Sequence, residues 1–319
     1  MTAYIIRRVL WLIPVLWAVA TITFFLMHAV PGGPFTQDRD LPAQVMLALN
    51  RRYHLDQPLW KQYLSYFWDI FVHQDLGLSF RGDRDVSYLI KHGFFVTAQL
   101  GTLAFLVALT WGIFLGVISA LNRNGFLDYI GVFFATVGAS VPSFIAGVFL
   151  IIVFAVNLHW FDFVGWGGPV DWGDTFHLSA WEPRKMVLPV IALSLLPSAY
   201  IARITRASML EVLGQDYIRT ANAKGLAFYV VILRHALKNS MIPVLTVLGP
   251  IFAALVTGSF IVESMFSIPG IGRSFVQAVT SRDYGMIMGT TLFYAGIVAA
   301  MNLLVDIAYA VVDPRIRYS

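Results

Sequence analysis

Residues 211–243 read EVLGQDYIRTANAKGLAFYVVILRHALKNSMIP, a polar and basic stretch lying between two long apolar runs. With its upstream flank it carries Arg203, Arg206, Arg219, Lys224, Arg234 and Lys238 against only Glu211 and Asp216. At its centre Arg219-Thr220-Ala221-Asn222-Ala223-Lys224 favours a short helix, and Gly225-Leu226 marks a turn after it. Helix connections commonly need only about 2–8 residues. A loop with a helix and a turn of its own therefore reads as a handle for another protein.

The apolar runs around the handle set the class. Of the 319 residues 58% are hydrophobic, 15% aromatic and only 13% charged, where a soluble domain carries about 25% charged residues. The absence of cysteine excludes disulfides, thiolate metal sites and cysteine nucleophiles. Six segments, 9–30, 96–121, 129–156, 186–207, 241–262 and 286–312, reach the roughly 20 mostly apolar residues that a membrane span requires. The first follows Arg7 and Arg8, but its apolar core exceeds the roughly 7–15 residues of a signal peptide. The expected fold is an all-α integral membrane protein of six transmembrane helices. It divides into a first helix within 1–30, an extracytoplasmic region 31–95, and a five-helix core 96–319 that carries the cytoplasmic loop 208–240.

Charge sets the orientation. Arg7, Arg8, Arg123, the basic handle, Arg315 and Arg317 share one side in short segments. Much of the opposing charge lies in 31–95, which exceeds the length over which basic residues govern insertion. Both termini are thus expected in the cytoplasm.

The other face is more elaborate. After Pro31-Gly32-Gly33-Pro34 breaks the first helix, PLWKQYLSYFWDIF at 58–71 spaces Trp60, Tyr63, Leu64, Phe67, Trp68 and Phe71 helically, with Asp56 as N-cap and Pro58 in the first turn. Such a helix suits the outer leaflet or the top of the bundle, and alternatively a docking platform for an external partner. A second loop, 157–185, includes HWFDFVGWGGPVDWGD; its tryptophans read as interface anchors or as a ligand-contacting surface. In the third, Ser267-Ile268-Pro269-Gly270-Ile271-Gly272 is too apolar for free solvent and either dips back to the bundle or contacts a binding protein.

Catalytic and energy-converting motifs are missing. There is no G-x-x-x-x-G-K-[ST], no H-E-x-x-H and no G-x-S-x-G, and the seven histidines lack ligand spacing. Within the spans the one acidic residue is Asp306, near the inner end of the last, which with Asn302 forms an i,i+4 pair and is expected to tie to inner arginines or to serve function directly. An ion-coupled carrier would show buried relay charges or repeat symmetry, and a membrane hydrolase clustered catalytic residues. Breaks at Ser140, Pro142 and Ser143, and at Thr257, Gly258 and Ser259, suit either a pathway lining or close helix packing.

These residues together resemble a known family. Ile6-Arg7-Arg8 with Val30-Pro31-Gly32, Leu55-Asp56-Gln57-Pro58 with Gln62-Tyr63, Asp75-Leu76-Gly77-Leu78-Ser79, the run SMLEVLGQDYIRTANAKGL at 208–226, ILRHALKNSMIPV at 232–244, Pro269-Gly270-Ile271-Gly272, Arg282-Asp283-Tyr284 and the terminal Asp313-Pro314-Arg315-Ile316-Arg317-Tyr318 resemble the B-type permease subunit of binding-protein-dependent ABC importers of the oligopeptide, dipeptide and nickel class. The resemblance implies a type I importer permease fold and a coupling role for Arg219, Thr220, Ala221, Asn222, Ala223, Lys224, Gly225 and Leu226. Arg219-Thr220-Ala221 stands where the family's Glu-Ala-Ala motif is expected, without its glutamate, and Gly225 is its glycine. It also implies a prokaryotic inner-membrane subunit without its own ATPase site. Its partners would be a related C-type permease, two ABC ATPases that use ATP and magnesium, and an extracytoplasmic binding protein, with membrane lipid around it and no nucleic acid. The class takes di- and oligopeptides, and also nickel complexes, glutathione and oligosaccharides; a secondary transporter is the more distant alternative.

Overall fold

The computed structural model describes residues 2–35, 42–81, 83–170 and 181–312. Among them it is helical, with no strand beyond one antiparallel bridge between Leu78 and Asp85. The terminal Asp313–Tyr318 motif with Arg315 and Arg317 lies outside the described residues, as does the 171–180 part of the second aromatic loop.

Helix α1 (Thr2–Ala29) is followed by α2 (Ala43–Arg52) and α3 (Leu59–Trp68), the last continued by π-helical Asp69–His73. The long helices are α4 (Val86–Leu121), α7 (Pro183–Leu213), α10 (Lys238–Val256) and α13 (Tyr284–Val312), with α5 (Phe126–Ser140) and α6 (Ser143–Leu150) between the first two. Short α8 (Asp216–Ala223) and α9 (Phe228–Val230) lead through a π-helical stretch into α10. Short α11 (Phe260–Met265) and α12 (Ile271–Ser281) lie between α10 and α13. Five helical stretches are long and apolar enough to cross a membrane, and α5 with α6 supplies a sixth if the bent pair counts as one span.

That bent pair occupies the expected span 129–156 and is divided at Pro142. Proline has no amide to donate and cannot continue the preceding helix, so α5 stops at Ser140 and α6 restarts at Ser143 with an axis change of 108°. Two boundaries shift as well. Asp85 caps α4 by accepting from the Ser87 amide at 3.0 Å. The helix therefore starts ten residues before the expected 96 and runs through the 95/96 boundary without a break. On α3, Pro58 occupies the cap position with no side-chain cap, so Asp56 does not fill the expected role.

The most extensive seam joins α4 to α7. Gly112-x-x-x-Gly116 lets the backbones approach: a Cβ at Gly112 would lie 2.7 Å from Ile201 Cβ, and one at Gly116 2.6 Å from Thr205 Cβ. Gly131 and Gly138 of α5 approach Ser119 and Ala199 in the same way. At the far end the 75–79 and 282–284 motifs meet: the Asp283 carboxylate accepts from Ser79 Oγ, from the Phe80 amide at 3.0 Å and from the Met286 amide at 3.1 Å. One side chain thus caps α13 and pins the region before α4 to the bundle. Asp306 of α13 pairs with Arg8 of α1 at 2.7 Å, the expected structural tie.

Candidate coupling site

Helix α8 is built to be held on one side and exposed on the other. Gly214 ends α7, and extended Gln215 starts α8 with its carbonyl accepting from the Ile218 amide at 3.1 Å. Asp216 places negative charge in the first turn, where the helix dipole favours it. Ile218 and Ala221 are buried in a cluster with Ala120, Met209, Val231 and Ile232. Asn239 Nδ2 donates to Tyr217 Oη at 2.9 Å and fastens α8 to the start of α10.

Gly225 terminates the helix. Its φ of +77° is open to glycine and resisted by residues with a Cβ. The Gly225 amide donates to Asn222 O at 2.9 Å and the Leu226 amide to Ala221 O at 3.4 Å, the paired bonds that close a helix on a left-handed residue. The glycine of the motif is thus a stop placed one residue past Lys224.

The expected coupling residues divide between two surfaces. Arg219, Thr220, Asn222, Ala223, Lys224, Gly225 and Leu226 are exposed, whereas Ala221 is buried within this chain. The small side chain at 221 therefore serves contact between α8 and its own bundle. Arg219 reaches Asp216 at 3.4 Å, both almost fully in solvent, a pair that contributes about 0–1 kcal/mol. Beside α8, Phe228 and Tyr229 are 68% and 67% exposed. Sequence reading passed over them because an aromatic pair at the head of an apolar run looks like the span itself.

Arg206, a member of the expected basic handle, turns inward instead. Its Nε and Nη2 donate to Oδ1 and Oδ2 of Asp128, each at 2.7 Å. Ser119 Oγ donates to the same carboxylate, and the Asn124 amide does so at 2.9 Å. The cluster joins α4, α5 and α7 directly behind the α7–α8 corner. Asp128 was missed because it precedes the apolar run of its helix by one residue.

The remaining expected sites lie at helix ends and corners. Ser140 and Pro142 are exposed and Ser143 half-buried at the α5–α6 corner. Thr257 Oγ1 donates to Ala254 O at 2.9 Å at the end of α10, and Ser259 Oγ accepts from the Val262 amide at 3.3 Å at the start of α11. Of the segment 267–272, Ile268, Gly270, Ile271 and Gly272 are buried and Ser267 half-buried, leaving Pro269 as the exposed member. The buried four therefore do not present a binding-protein contact in this structure; the segment dips back into the bundle.

What holds that segment is Glu263, fully buried and overlooked because it directly follows an apolar run. Its Oε1 accepts from Thr97 Oγ1 at 3.0 Å and its Oε2 from the Arg273 amide at 3.1 Å, while Thr97 Oγ1 accepts from the Ile271 amide at 3.0 Å. Two side chains from α4 and α11 thereby satisfy the first-turn amides of α12, which has no cap of its own.

The described helices thus form a bundle of membrane-spanning length with a short helix held at the corner between two long ones. The chain belongs to the binding-protein-dependent transport system inner membrane component family, whose model matches residues 112–318, with the family's N-terminal model over 1–101. It is a multi-pass inner-membrane protein with the type I permease fold. It is 45% identical to the dipeptide transport system permease protein DppB of Bacillus subtilis (strain 168), over 99% of this chain and 98% of that one. It is 42% identical to the oligopeptide transport system permease protein OppB of Escherichia coli (strain K12), over the full length of both. Among solved structures, a chain of the inward-facing MetNI methionine ABC transporter matches with a TM-score of 0.53 at 16% identity, over 71% of this chain and 97% of that chain. An amino acid ABC transporter determined with histidines gives 0.50 at 18% identity, over 72% and 95%.

Proposed function

We propose that this chain is one half of the translocation path of an ATP-driven importer for short peptides, and that α8 is its coupling helix. Relatives named for dipeptide and oligopeptide transport over their whole length support the substrate class. The observation that carries the coupling role is the division of α8: an inner face of Ile218 and Ala221 fixed in the bundle, and an outer face of Arg219, Asn222, Ala223 and Lys224 left to a partner. A helix so held moves as one body with α7. A partner that grips its outer face can therefore rock the spans between two packed arrangements.

In this reading N- and C-termini and α8 are cytoplasmic, and two ATPase subunits bind and hydrolyse ATP with magnesium. A related permease supplies the other half of the path, and an extracytoplasmic binding protein delivers the peptide. This chain contributes no covalent chemistry; its role is differential affinity for its partners in the two states. Uptake of a labelled tripeptide by cells lacking the chain, with and without its restoration, tests the reading. Restored uptake that tracks ATP supports it, and unchanged peptide uptake with restored uptake of an unrelated solute opposes the substrate class.

A further inference from the structure

Two neighbouring cavities lie where α1, α3 and α13 come together. The one at the helix ends, about 220 Å³, is walled by Arg52, Gln62, Asp69, Tyr66, His28 and Tyr284. The second, about 240 Å³, lies one to two turns further along both long helices, between Trp17 and Ala20 of α1, Phe67 and Ile70, and Leu292 and Phe293 of α13. Leu76 belongs to both walls. Leu76 thus stands between a chamber whose apolar walls carry a few polar groups and a groove that is almost wholly apolar.

The chamber contains unmet hydrogen-bonding groups. His28 Nδ1 lies 2.8 Å from the Phe24 carbonyl, which can only accept, so Nδ1 carries a proton and in the neutral ring Nε2 is an acceptor. That Nε2 and the Tyr66 hydroxyl are buried with no partner among the described residues, a state that carries a desolvation cost unless a guest relieves it. The Asp69 carboxylate adds a second acceptor, already touched by His73 at 3.0 Å. Arg52 is held by Asp83 at 2.5 Å, and its five-donor fork leaves N–H groups for a further anion. On the other side of α3, Trp60, Leu64 and Trp68 are exposed at four-residue spacing, the pattern that seats a helix at the membrane interface. That level is where headgroups lie.

We propose that this is a phospholipid site for an ethanolamine headgroup. The ammonium, with three N–H donors, sits on His28 Nε2, the Tyr66 hydroxyl and Asp69; the phosphate lies by Arg52; an acyl chain fills the groove along α1 and α13. The inference rests on membrane residence alone and is independent of the peptide reading.

The test is native mass spectrometry of the purified, delipidated complex. Dioleoyl phosphatidylethanolamine, dioleoyl phosphatidylglycerol and soluble phosphoethanolamine are added in separate arms. The ethanolamine lipid should be retained about tenfold over the glycerol lipid, and Tyr66→Phe or Asp69→Asn should each remove about that preference, since one bond to a charged group supplies it. In lipid-free detergent Asp69→Asn should unfold at the wild-type temperature and Tyr66→Phe at or above it, since the latter removes an unpaired buried hydroxyl, separating lost binding from lost fold. Equal retention of the two lipids, or a preference untouched by both variants, overturns the proposal. Phosphoethanolamine held as tightly as the lipid also overturns it, because the occupant is then a soluble amine.

Discussion

Arg206 of α7 grips Asp128 of α5 through two parallel bonds of 2.7 Å, while Ser119 of α4 donates to the same carboxylate. Three spans are thereby tied two turns above the point where α7 gives way to α8. Displacement of α8 reaches α7 through the chain itself, and this pair shares it with α4 and α5. Asp128 is 5% exposed and Arg206 29%, so the pair is little screened, and removal of one partner strands a charge.

Asp128→Asn and Arg206→Gln should each lower stability by several kcal/mol, about 3–5 for a fully buried pair and less here because Arg206 reaches solvent. The double variant should cost less than the sum of the two. Thermal unfolding of the purified complex reads the coupling. Additive losses would show that the pair does not bind the three helices together.

On α8 the two alanines should behave oppositely. Ala221→Trp overfills the cluster with Met209 and Val231 and should displace α8, lowering the unfolding temperature as well as uptake, since overpacking costs about 1–3 kcal/mol. Ala223→Trp, on the exposed face, should leave the unfolding temperature unchanged and abolish uptake and co-purification of the ATPase. Gly225→Val should join the first class, because a Cβ at positive φ costs about 1–2 kcal/mol. Normal uptake by Ala223→Trp would remove the outer face from the coupling role.

Glu263→Gln should free the start of α12. An amide can accept through only one oxygen and turns its NH₂ towards donors that the carboxylate now satisfies, leaving at least one buried group unpaired at about 1–3 kcal/mol. Limited proteolysis should then cut within 267–272, a segment the wild type protects. Thr97→Val should produce a weaker form of the same effect through the Ile271 amide. An unchanged cleavage pattern in both variants would contradict the capping role.

Trp60→Ser with Trp68→Ser should leave the fold intact, since both rings are exposed. It should weaken attachment to lipid or to the binding protein and leave basal ATP hydrolysis of the assembled complex unchanged. Loss of ATPase assembly with normal membrane insertion would contradict the separation of this region from energy coupling.

The long helices and the short helix α8 with its glycine turn were legible because both rest on local pattern. Long apolar runs require helices in a membrane, and the Gly225 turn follows from a single residue's freedom at positive φ. Features that depend on which distant residue meets which were not legible. Glu263 and Asp128 each sit one residue outside an expected span, where hydropathy assigns them to loops; only tertiary contact with Thr97, or with Ser119 and Arg206, turns them into buried acceptors. The same limit explains Ala221, whose size suited docking equally well on either face of α8. Pro142 was read as a kink, yet the 108° turn depends on where α5 and α6 pack, which the proline alone does not set.

The most direct test of the central claim, that the outer face of α8 couples this chain to ATP hydrolysis, is ATPase activity in reconstituted complexes. The chain is assembled with a related permease, two ATPase subunits and a binding protein, and hydrolysis is measured before and after peptide-loaded binding protein is added. Wild type should be stimulated. Ala223→Trp, or Arg219→Glu with Lys224→Glu, should lose the stimulation while the chain keeps its fold and membrane insertion. Stimulation that survives both sets of changes, or ATP-independent peptide uptake by the chain alone in liposomes, would contradict the account.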